Sequence, residues 1–141
     1  MRTLYLECYS GISGDMTVAA LLDVGADQEK LLAALKSLPL DGYRVEITRT
    51  FKNGVAARDF HVILEDAHSH HVHRGLKEIF PIIDGSKMDP SAKLLAKEMF
   101  QRLAQAEGRV HGKAPEEVHF HEVGAVDSIV DLCAAAVCFA D

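Results

Sequence analysis

Apolar and polar residues alternate over "TLYLEC" (residues 3 to 8), with Leu4 and Leu6 on one side, and this period of two predicts a short strand. After the glycine-bearing turn "SGISGDM", the spacing changes to helical over "TVAALLDVG", where Gly25 suits the position just past a helix end. Asp27 is placed to cap a second short helix, "QEKLLAALKSL", which Pro39 stops. "YRVEITRTF" and "VAARDFHVIL" then read as two strands. Asn53-Gly54 between them signals a hairpin, because both residues accept positive φ.

Residues 65 to 73, "EDAHSHHVH", show no period and read as a polar loop whose one apolar anchor is Val72. A modest helix is expected from about His73 to Ile83. Asp89-Pro90 supplies a cap followed by proline at the first helical position. The helix it opens carries a stripe of Ala92, Leu95, Ala96, Met99, Leu103 and Ala106 and is closed by Gly108. An apolar helix from Gly124 to Phe139 ends the chain. Strand, two helices, hairpin and helices are not a βαβ alternation. They predict an α+β fold, a small and largely antiparallel sheet with a β-hairpin covered by helices.

The chain of 141 residues is expected to form a single domain over 1–141, the N-terminal part of a longer protein. Its 48% hydrophobic and 26% charged residues suit a globular protein, and no apolar run is long enough to span a membrane. A net charge of −6 without a Lys/Arg cluster argues against nucleic acid. The start carries no secretory pattern, and three cysteines (Cys8, Cys133, Cys138) fit free thiols in the cytoplasm. Cys8 reads as a small buried thiol, Cys133 and Cys138 as packing, and His61 and His111 as structural.

Three stretches carry candidate chemistry. In "CYSGISGDM", the turn of Ser10, Gly11, Ser13 and Gly14 offers backbone N–H groups to an anion. It lacks the lysine of a P-loop, and Asp15 would repel a bare phosphate but could hold a bridging metal; alternatively Ser13 is simply a cap. In "HSHHVH", His68, His70, His71 and His73 offer borderline nitrogen ligands suited to Zn, Ni or Cu, or form a solvated loop. In "EEVHFHEVGAVDSIVD", an extended backbone would point His119 and His121 the same way, while Asp127 and Asp131 share one helix face. A half-exposed strand with solvated imidazoles explains that stretch equally well.

"YSGISGDM", "LLDVGAD", "LPLDGY", the His-rich tract, "RLAQAEGRVHG" and "EEVHFHEVGAVDSIVD" together resemble the N-terminal region of the LarC-type nickel-insertion proteins, over essentially the whole chain. Glu7 before Cys8 and the cysteine-rich "DLCAAAVCF" depart from the family pattern. The resemblance implies a nickel chelatase of lyase type that inserts Ni(II) into pyridinium-3,5-bisthiocarboxylic acid mononucleotide, using CTP with Mg or Mn. The product is the nickel-pincer cofactor of lactate racemase, so the implied partners are the precursor mononucleotide, the family's C-terminal region and nickel-pincer enzymes. A homo-oligomer is expected, and the fragment alone is expected to be inactive. On this reading Asp15, His119, His121 and Asp127 are catalytic, the Ser10–Gly14 turn binds cofactor, and His68, His70, His71, His73, His119 and His121 meet metal. The alternative is a chaperone or storage module that holds Ni or Zn without catalysis.

Overall fold

The computed structural model describes residues 3–65, 74–121 and 123–141. The helix α1 (Gly14–Asp23) ends as its sequence suggests. Gly25 takes φ +113°, Ala26 N–H donates to Leu21 O at 3.0 Å and Gly25 N–H to Leu22 O at 3.3 Å. These two bonds satisfy carbonyls that a helix end otherwise leaves open. Asp27 caps α2 (Gln28–Lys36), its Oδ1 accepting from the N–H groups of Glu29 and Lys30 at 2.9 and 3.0 Å.

β1 (Tyr43–Lys52) and β2 (Val55–Leu64) form the predicted antiparallel hairpin, turning through Asn53 and Gly54 at φ 51° and 80°. Tyr43 faces Leu64, Val45 faces Val62 and Ile47 faces Phe60, and this row packs against the helical core. α3 (Leu76–Gly85) begins later than its periodicity suggested, at Gly75, whose N–H donates to Glu78 Oε2 at 2.8 Å. α4 (Pro90–His111) and α5 (Val126–Ala140) follow, with one 3₁₀ turn, Pro115–Glu117, between them. The arrangement is α+β, with a two-stranded sheet packed against helices.

α5 is the centre of the core. Ile129, Val130, Cys133, Ala134 and Ala136 are fully buried among α1, α2 and α4. Burial pushes the Cys133 thiol up to about 12, so it packs as a small apolar group. Among the described residues no helix is long and apolar enough to cross a membrane.

Five expectations need correction. "TLYLEC" is not a strand: the sheet has two strands, neither pairs with it, and strand propensity is realised only where a neighbour completes the ladder. Cys8, within it, is therefore exposed rather than buried. The buried face of α4 is Ala92, Ala96, Phe100, Ala104 and Gly108, while Ala106 is exposed. That i, i+4 row of small residues lets the helices approach closely around one phenylalanine, and Leu95 and Leu103 only flank it. The helix also runs on past Gly108 and closes at Gly112 in the left-handed region, φ 65°. Residues 117 to 121 are not a regular strand; Phe120 alone bridges to Arg74.

Candidate functional site

The two motifs singled out at either end of the sequence meet in the fold. Cys8 O accepts from Gly11 N–H at 3.0 Å, closing the turn with Gly11 at φ 79°, and α1 starts at Gly14. A Cβ on Gly14 would lie 2.8 Å from Asp131 Cβ and 3.1 Å from Asp131 Oδ2. Only glycine admits this approach, so the missing side chain sets the α1 N-terminus directly on the second turn of α5.

Three carboxylates converge there. Ser13 stands at the N-cap, but its hydroxyl donates to Asp15 Oδ1 instead of capping the helix. The same oxygen accepts the Met16 N–H at 2.8 Å. Asp127, in the first turn of α5, accepts the Ser128 N–H at 2.8 Å. Asp131 lies one turn further on, and its Oδ1 is buried without a hydrogen-bond donor. Burial, then the charges of Asp15 and Asp127, push the Asp131 carboxyl up to about 6, against a smaller opposing pull from the His61 imidazole of β2. The cluster is anionic and underserved by donors, an arrangement that favours a cation or a proton.

The second half of the site is held by Phe120. Its ring is buried against Phe100 with centroids 6.2 Å apart, and its N–H donates to Arg74 O at 3.0 Å. Arg74 Nη1 donates to Gly124 O at 2.8 Å. A Cβ on Gly124 would sit within 3.0 Å of three backbone atoms of Arg74 and Phe120, so the turn closes only on glycine. With Phe120 pointing inward, His119 and His121 flank it on the exposed side. His119 borders a cavity of about 240 Å³ with Gly75, Lys77, Glu78, Glu116 and Glu117.

Asp15 and Asp127 thus share one cluster with Asp131, whereas His119 and His121 stand on the segment leading into it. Among the described residues no three His, Cys, Asp or Glu side chains converge closely enough to hold a metal ion by themselves. His68, His70, His71 and His73 lie outside the described residues. The Ser10–Gly14 turn holds no Lys or Arg and abuts Asp15 and Asp131, so it does not fit a bare nucleotide phosphate. The sequence reads His61 as structural, because spacing cannot bring it to Asp131 in a different element, and it presents Asp131 as a neighbour of Asp127 when it is the centre.

The structure thus defines a small α+β unit with three carboxylates gathered where two helices start. Residues 4–141 match the family described as nickel insertion protein, and the chain belongs to that family. It is 53% identical to the pyridinium-3,5-bisthiocarboxylic acid mononucleotide nickel insertion protein of Alkaliphilus metalliredigens, over 96% of this chain and 36% of that protein. It is 44% identical to the protein of the same description from Geobacillus kaustophilus, over 97% of this chain and 35% of that protein. The Acetivibrio thermocellus protein of that description is 43% identical, over 98% and 35% respectively. The chain therefore spans about 35% of the length of these curated relatives. No solved structure matches.

Proposed function

We propose that this chain is the nickel-holding, N-terminal part of an enzyme that inserts Ni(II) into pyridinium-3,5-bisthiocarboxylic acid mononucleotide. The observation that carries the reading is the junction of Gly14 with Asp131, which collects Asp15, Asp127 and Asp131 around a buried carboxyl oxygen that lacks a donor. Oxygen and imidazole donors hold nickel less firmly than a thiolate cage. A metal carried this way can pass to the sulfur donors of the precursor, which a resident cofactor site would not permit. In this account Asp15, Asp127 and Asp131 contact the ion together with further donors, His119 and His121 deliver it along the segment anchored by Phe120, and the tract of His68, His70, His71 and His73 collects it. The nickel is cargo, and no electron transfer is required.

The finer parts of the reading follow the family. CTP with Mg or Mn, lyase-type chemistry, maturation of lactate racemase or another nickel-pincer enzyme, a homo-oligomeric state and a cytoplasmic setting are proposed for the whole protein. We place the CTP site outside this chain, because the Ser10–Gly14 turn lacks a cation for the phosphates. Purified 1–141 is expected not to hydrolyse CTP; phosphate or diphosphate release above background would show that the nucleotide site is misplaced.

The metal reading is tested by titrating nickel into the wild type and into His119→Ala/His121→Ala. Affinity is expected to drop at least about tenfold, or roughly 1.4 kcal/mol, in the double variant. In the wild type, occupancy should fall as the solution is acidified, because a protonated ligand loses the lone pair that binds metal. Unchanged affinity with an intact fold would remove these histidines from the site. Nickel binding without any response to the precursor would instead favour a holding module.

A further inference from the structure

Large apolar side chains are exposed in one run at the start of the described chain: Leu4 is 47% exposed, Tyr5 76%, Leu6 51% and Tyr9 90%. Their alternation is that of a strand, yet among the described residues no backbone hydrogen bond ties Thr3 to Glu7 to another element. A segment with strand-like alternation, exposed apolar side chains and no backbone partner among the described residues is an open template for a further strand.

The segment also has a floor. Beside it lies a groove of about 790 Å³, walled by Leu4 and Tyr5 on one side and by Leu21, Val24, Phe139 and Ala140 from the ends of α1 and α5 on the other. Asp141 lines the same groove, and its carboxylate is fixed by the Asp27 N–H and Lys30 Nζ, each at 3.1 Å.

We propose that residues 4–8 are a β-strand awaiting its partner, and that the partner is a strand from the part of the longer polypeptide that the relatives carry beyond the matched third. Two observations favour that occupant. Residues 4–8 fall inside the region matched by the family, while the match accounts for only about 36% of the Alkaliphilus protein, so ample chain exists to supply a strand. Asp141, directly after α5, lines the same groove, so in the longer relatives the residues that follow the matched region would start beside it and reach it at high effective concentration. Pairing would cover Leu4, Leu6 and the groove together and complete the ladder. This inference does not depend on the nickel reading.

Hydrogen exchange read by mass spectrometry tests it directly, on this chain and on the full-length 53%-identical relative. In the 141-residue chain the amides of residues 4–8 are expected to exchange as in an unstructured peptide. In the full-length relative the aligned amides are expected to slow by at least about a hundredfold, and proline at the position aligned with Leu6 is expected to abolish that protection. Fast exchange in both proteins would overturn the proposal. So would protection in the 141-residue chain that grows with protein concentration, which would assign the groove to a second copy.

Discussion

Phe120→Ala is expected to lower the unfolding free energy by about 3–5 kcal/mol, the range for truncating a buried aromatic side chain. Phe120 is 2% exposed, packs against Phe100 and is the one inward-pointing residue between His119 and His121. Its loss leaves a cavity between α4 and the segment that enters α5, where the close approaches at Gly108 and Gly124 leave little freedom to collapse. Urea unfolding followed by circular dichroism measures the change. A loss below about 1 kcal/mol would show that the site segment is held by Arg74 and the turn rather than by the ring.

Asp131→Asn is expected to stabilise the protein at neutral pH. The Asp131 carboxyl is pushed up to about 6 from an ordinary value of 3.8, so the folded state holds its proton more tightly than the unfolded state does. Between those two values the folded form binds more protons, and stability therefore falls as pH rises from about 4 to about 6. Above that window the charged carboxylate remains a constant cost of about 1–2 kcal/mol after solvent screening. The asparagine variant should show a gain of that size at pH 7, little gain near pH 4, and a flatter stability profile between. Equal stability at both pH values would mean that the carboxylate is better solvated than its buried oxygen indicates.

Where the sequence alone was sufficient, the determinants were local. Asn53-Gly54 forces a tight turn, Asp27 satisfies two N–H groups within three residues, and Gly25 closes α1 on its own carbonyls. Where it was not, the outcome depended on the partner. In α4 the spacing points to Ala92 and Ala96, which are buried, but Phe100, Ala104 and Gly108 complete that face and Ala106 is exposed. "TLYLEC" has strand character but no neighbouring strand among the described residues. At the site, Asp15 and Asp127 were visible as acids in first helical turns. Their meeting at Asp131 depends on Gly14, whose importance lies in an approach between elements more than a hundred residues apart. His61 reads as structural for the same reason.

The central claim is that the carboxylates gathered at the Gly14–Asp131 junction hold nickel. Nickel affinity measured by isothermal titration at pH 7, for the wild type and Asp131→Asn side by side, addresses it most directly. The variant is expected to be the more stable protein and yet to bind nickel at least about tenfold more weakly, so that unfolding cannot account for the loss. Equal nickel affinity in the two proteins would contradict the account and return the cluster to a structural peculiarity of the helix crossing.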